Sequence, residues 1–207
     1  MSASVTEAKK NTSKKVKALL AGGLVLGVGA AVTLAAWTDQ EWAEGLFTTG
    51  SFNIESSIDG ATFDDNDTQD GAAVLEFDLT GADNMAPDET VAAPFMLRLD
   101  DTTTYDATVA LDTATADGVN AGALTYGIVQ VDDIAACTPD ATGTGTIVPA
   151  GTAMDSTEGA TDFDLAAGAD GEAGEAVTLC FQVASGADLE EGETTTANWQ
   201  FVGTSVE

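Results

Sequence analysis

The sequence predicts an all-β domain, a sandwich of two sheets, preceded by an N-terminal hydrophobic helix of export type. Three observations predict it. Short runs of the body alternate apolar and polar residues. Gly, Thr, Asp and Ala fill the spaces between those runs, as turns require. No stretch of the body keeps a helical period, and none repeats. With 207 residues the chain has room for one domain and an extension. One-sided alternation implies one buried face per strand, so two sheets pack face to face, as in a jelly-roll or an immunoglobulin-like fold.

The first element is not a strand. Lys9, Lys10, Lys14, Lys15 and Lys17 precede a run of 19 uncharged residues, 18–36, that ends in small residues. Six of the 19 are Ala and four are Gly, so the run is only moderately hydrophobic. It is long for a signal peptide and close to the length of a membrane span. Cleavage and retention as an anchor both remain open. The small residues Thr33, Ala35 and Ala36 favour cleavage at Ala35, Ala36 and Trp37. The basic flank keeps the N-terminus cytoplasmic in either case, so contact with a membrane is expected only through this segment, before cleavage.

Residues 37–50 form an extension with Trp37, Trp42, Leu46 and Phe47, a large apolar content for a free tail. The body, 51–207, then reads as about seven strands. Residues 52–58 set Phe52, Ile54 and Ile58 against Asn53 and Glu55. Residues 74–79 set Leu75, Phe77 and Leu79 against Glu76 and Asp78. Residues 95–99 set Phe95, Leu97 and Leu99 against Met96 and Arg98. Residues 105–111 point Tyr105, Ala107, Val109 and Leu111 inward. Residues 124–131 are apolar on both faces and suit a central strand. Residues 177–183 point Val177, Leu179, Phe181 and Val183 inward. Residues 197–201 offer Ala197, Trp199 and Phe201. The segment 132–174 is weakly patterned and reads as a long surface loop with one short strand near Ile147.

The junction LAAWTDQEWAEGLFTTGSFNIE, the stretch MAPDETVAAPFMLRLDDTTTYDATVAL and the ending TLCFQVA with NWQFVGT resemble the TasA/camelysin family of exported bacterial fibre proteins. The junction is the most specific. Its matching residues are Ala35, Ala36, Trp37, Asp39, Phe47, Gly50 and the run 51–55. The second is MAPDETVAAPFMLRLDDTTTYDATVAL, 85–111, similar to a Pro-Gly-Asp turn, a strand, an Asn-Gly-like turn and a further strand. Here Asp88 follows Pro87 where that pattern has Gly, and Asp100-Asp101 stands for Asn-Gly. The third, weaker, is the ending TLCFQVA with NWQFVGT. The resemblance implies a jelly-roll and processing by a dedicated signal peptidase of the SipW type. It also implies self-association into biofilm-matrix fibres, in which the N-terminal segment of one subunit completes a sheet of the next.

Charge and missing residue types exclude several functions. The chain has 35 acidic and 6 basic residues, a formal charge of −29. Removal of residues 1–36 takes away five bases and one acid, which leaves 34 acids, Arg98 alone, and a charge of −33. Such a body cannot neutralise phosphates, so neither nucleic acid nor an anionic membrane surface is an expected partner. The chain contains no His, and no Lys beyond Lys17. Imidazole-ligated zinc sites, Ser-His-Asp and Cys-His systems, Schiff bases and Lys-bearing phosphate loops are thereby excluded. Camelysins have been grouped with metallopeptidases, yet nothing here supplies the usual ligands. Carboxylate pairs arise by chance among 34 acids. The expectation is no enzyme and no cofactor.

Cys137 and Cys180 both follow the signal, and in an exported chain they are expected to bridge, with two buried thiols as the alternative. Cys180 lies opposite Leu179 and Phe181 in its strand, so the bridge would staple the start of the long loop to the outer face of a late strand. Calcium is the inorganic candidate: Asp65, Asp67 and Asp70 offer hard oxygens at near-alternate positions. Position six of an EF-hand loop counted from Asp65 is Asp70 where Gly is needed, so only a looser site, here or at Asp100 and Asp101, remains. A solvated acidic turn is the plainer reading. Arg98 is expected to pair with a carboxylate on a neighbouring strand. Two functions stay open: a self-assembling surface or matrix protein, and a monomeric acidic binding module for a ligand or calcium.

Overall fold

The computed structural model describes Lys17, residues 51–77 and residues 85–206. The chain divides into two compact units, Met1–Phe47 and Thr48–Glu207. All described residues but Lys17 belong to the second, which is all-β. Its strands are β1 (Ile54–Ser57), β2 (Thr90–Leu99), β3 (Asp106–Gly118), β4 (Leu124–Val131), β5 (Gly145–Ala153), β6 (Phe163–Leu165), β7 (Val177–Ser185) and β8 (Thr195–Val206). One antiparallel sheet has the order β1-β2-β7-β4-β5, and the other has the order β6-β3-β8. The two pack together as a sandwich.

The core lies between the sheets because the inward positions of the alternating strands are large and apolar. Leu97 and Leu99 of β2, Val109 and Leu111 of β3, Ile128 of β4, and Leu179 and Phe181 of β7 are buried together. Six aromatic rings link the two layers. Phe181 stands 4.9 Å from Trp199 and 6.2 Å from Phe201, and Tyr126 stands 5.5 Å from Trp199, between ring centres. Phe95 and Phe163 complete the set around Phe201. Tyr126 fits this apolar site because its hydroxyl donates to the Ser156 carbonyl at 2.7 Å. Burial raises the pKa of that phenol, partly offset by the nearby Trp199 indole. The indole Nε1 itself finds no hydrogen-bond partner of good geometry.

The strand pairing follows jelly-roll logic with one departure. A jelly-roll folds a long hairpin so that its second strand lies beside its seventh, third beside sixth, fourth beside fifth, and first beside last. The first three of those pairs occur here: β2 with β7, β3 with β6, and β4 with β5, all antiparallel. The fourth does not. β1 pairs with β2 in the five-stranded sheet, Ile54 opposite Leu99 and Ser57 opposite Met96. Ile54 and Phe52 instead reach β8 across the sandwich, where both crowd the space that a Cβ on Gly203 would need.

Four sequence expectations are corrected. Residues 74–77 form no strand, although Leu75 and Phe77 pack against the core as their alternation implied. They have the right face buried but no ladder partner. Tyr105 is 46% exposed, because β3 starts only at Asp106, and Ala107, Val109 and Leu111 carry the inward face. Phe52 lies before β1 and is 40% exposed. The segment 132–174 is no mere surface loop with one short strand. It contributes β5, nine residues long, and β6, and it buries Ile147, Val148, Met154, Phe163 and Leu165.

Candidate functional site

The residues expected at the signal junction and in assembly, Ala35, Ala36, Trp37, Trp42, Leu46 and Phe47, lie outside the described residues. So does the apolar run 18–36. Among the described residues no helix is long and apolar enough to cross a membrane.

The expected bridge is present: Cys137 and Cys180 form a disulfide across a sequence separation of 43. Cys180 lies on the outer face of β7, buried with Ala92, Val129 and Val131 in a small second cluster that Cys137 and Ala141 help to cover. The loop between β4 and β5 is thus laid over the outer face of the five-stranded sheet. Outward-facing Gln182 adds a clasp, its Nε2 within 3.1 Å of the carbonyl oxygens of Thr138, Pro139 and Ala141. Thr144 N–H donates to the Gln130 carbonyl at 2.7 Å and closes the far end.

Arg98 finds the expected cross-strand carboxylate. It stands opposite Glu55 in the β1–β2 ladder, and its Nε donates to Glu55 Oε1 at 2.7 Å. The guanidinium also lies over the Phe63 ring, 3.7 Å from its centre. The charge therefore ties β1, β2 and the following loop together, half shielded from water, and its functional weight is structural. The Phe63 partner had no sequence signal, because nothing in the spacing of residues 55, 63 and 98 announces that they meet.

Asp65, Asp67 and Asp70 are all exposed. Asp65 accepts from the Asn53 side chain at 2.7 Å. Among the described residues no three His, Cys, Asp or Glu side chains gather so as to hold a metal ion. Asp100 behaves as a turn cap. It accepts from the backbone N–H groups of Thr102 and Thr103 and from both hydroxyls. Slight burial acts to raise its pKa, but those hydrogen bonds together outweigh it and hold the carboxyl below its ordinary value. Asp59 is lowered in the same way by the backbone N–H groups of Thr62 and Ala61 and the Ser57 hydroxyl. Each carboxylate thus stabilises a tight turn.

Two open hollows lie on the surface of the described residues. One of about 450 Å³ lies beside Val119, Thr125 and Asp188, and one of about 370 Å³ beside Asp106, Asp164 and Val206. The Ser185 hydroxyl at the first is engaged with the Ala86 carbonyl at 2.6 Å and is no free nucleophile.

The sheet edges differ sharply. β1 has four residues, and the Asp64 backbone bonds to Ser56 on its outer side. β6 has three residues. β5 has Pro149 at its centre and two register breaks against β4. Where β1 leaves β2 uncovered, β2 presents Pro94, which has no N–H to offer. β8 is unlike the rest. Among the described residues its 12 residues pair with β3 on one side only, with one register shift at Leu111/Thr113, and the strand TTANWQFVGTSV contains no charge and no Pro. No protein-family model matches this sequence, and a search of curated proteins finds no match.

Proposed function

We propose that this protein is an exported structural protein of the cell surface or extracellular matrix, and that it self-assembles after removal of its N-terminal hydrophobic segment. The reading rests on one juxtaposition in the chain. A basic, then apolar, export-type segment runs directly into the aromatic stretch 37–50, which in turn enters a disulfide-stapled β-sandwich. The disulfide supports an oxidising compartment. The resemblance at the junction supports cleavage close to Ala35 and Ala36 by a SipW-type peptidase. Residues 37–50 then act as the joining element, adding a strand to another subunit. Backbone pairing along an exposed edge provides affinity, and alternate side chains provide specificity. While the signal is attached the segment is held at the membrane, so cleavage licenses assembly.

The charge of −33 makes association depend on ions, since exposed charges interact over a Debye length of about 8 Å at physiological salt. Millimolar calcium or mild acid promotes assembly, and low salt with a chelator opposes it. Mass spectrometry of the exported protein should give a chain that starts between residues 36 and 38. Negative-stain microscopy of that chain, with and without calcium, should show filaments. Monomers under every condition would favour the binding-module reading instead.

A further inference from the structure

We infer that Asn66 is the acceptor for an N-linked glycan, transferred from a lipid-pyrophosphate-linked oligosaccharide once the chain has crossed the membrane. The inference rests on the export part of the reading above and is independent of assembly.

N-glycan transfer needs the triplet Asn-x-Ser/Thr, with x other than Pro, on a surface segment of an exported chain. The chain has six Asn, and two of them open such a triplet. Asn11-Thr12-Ser13 precedes the apolar run and stays on its basic, cytoplasmic side. Asn66-Asp67-Thr68 lies beyond that run. Asp64, two residues before Asn66, also supplies the acidic residue that some transferases require there.

The local structure suits the reaction. Residues 65–67 belong to no strand or helix. Thr68 is extended, at φ −126° and ψ 149°, ahead of the turn Gln69–Gly71. Asp65, Asp67 and Thr68 are exposed, and Asn66 is half-buried. Among the described residues the backbone N–H groups of 65–68 donate to no backbone carbonyl, and the Thr68 hydroxyl caps nothing. An extended peptide can therefore be lifted into an active site without breaking a ladder, and its hydroxyl is free to be read.

In the closed loop the Asn66 amide donates to the Ser56 hydroxyl at 2.8 Å and to the Asp64 carbonyl at 3.2 Å. Transfer therefore takes the segment before it closes on β1. The amide nitrogen attacks C1 of the first sugar, and the C1–O bond to the pyrophosphate breaks. The lipid pyrophosphate leaves with the electron pair, and one amide proton passes to a base of the transferase. The linked nitrogen keeps one N–H, which serves Ser56. The Asp64 carbonyl still accepts from the Ser56 N–H at 3.0 Å. The glycan then stands on the outer side of β1 and covers that sheet edge with a hydrated chain.

The test is tandem mass spectrometry of the protein exported by its native cells. Chymotrypsin cuts after Phe63 and Leu75, and the peptide between them contains Asn66 and no other Asn. The expected result is a sugar-bearing 64–75 peptide with the mass attached at Asn66. Asn66→Gln and Thr68→Val should each abolish it, and Thr68→Ser, which keeps the hydroxyl, should retain it. The Thr68 pair leaves the Asn66–Ser56 contact in place, so the readout does not depend on loss of fold. A bare Asn66 in a chain that starts between residues 36 and 38 would overturn the inference while export stood. A sandwich found in the cytoplasm would overturn both. Sugar on Thr68 instead, or sugar on this peptide that survives Asn66→Gln, would contradict the assignment.

Discussion

Replacing both bridge cysteines, Cys137→Ala with Cys180→Ala, should lower stability by about 5 kcal/mol. The closed loop spans 43 residues, and the chain-entropy relation gives about 4 kcal/mol for a loop of that size. A second effect is local. Cys180 is fully buried among Ala92, Val129 and Val131, so truncation there also leaves a small void, at roughly 1 kcal/mol. The contacts of Gln182 and Thr144 with the loop and strand survive, which keeps the loop near its place and limits any further loss. For a domain of this size each kcal/mol moves Tm by roughly 2–4 °C, so a fall on the order of 10 °C is expected. Circular-dichroism melts should show this fall in the double variant, and in the parent with reductant a fall smaller by the share of the void. A shift under about 3 °C in both would show that the bridge does not constrain the unfolded chain as argued.

Three further outcomes follow from named contacts. Arg98→Ala should cost about 1–2 kcal/mol in urea unfolding, because it strands half-shielded Glu55 and removes the stack on Phe63. Arg98→Lys should recover only part, since it keeps the charge and loses the planar face. Asp88 has φ 60°, in the left-handed region, so Asp88→Gly should stabilise by a few tenths to about 1 kcal/mol; destabilisation would indicate a side-chain role in that turn. The carboxyls of Asp59 and Asp100 have folded pKa values below their ordinary ones. Their stabilisation is therefore fully present above the unfolded carboxylate value, near 4, and is lost as pH falls through the lowered values. Asp100→Asn should flatten that acid limb of the stability curve, and an unchanged limb would refute the assignment.

Alternation revealed burial better than it revealed strands. β2, β3, β4, β7 and β8 were legible because each keeps an alternating apolar face, or apolar residues on both faces, over five residues or more. Leu75 and Phe77 carry the same signal and do pack against the core, yet residues 74–77 join no ladder among the described residues, and the pattern cannot report a missing partner. β5 was legible only as a short strand near Ile147, for the opposite reason. Its buried Ile147 and Val148 are adjacent, where the ladder with β4 shifts register, so period two never appears. β6 is too short to show a period. The disulfide was legible from cysteine count and strand parity. The one-sided pairing of β8 among the described residues was not, since which side of a strand stays unpaired depends on where every other strand goes.

The central claim, that residues 37–50 join one subunit to the next, is tested most directly by deleting residues 37–46 from the processed protein. Light scattering and negative-stain microscopy would follow assembly in millimolar calcium. The account predicts a folded monomer, with the Cys137–Cys180 bridge and the melting temperature of the sandwich retained, that forms no filaments. Filaments from that truncated chain, at the concentration and rate of the full processed one, would contradict it.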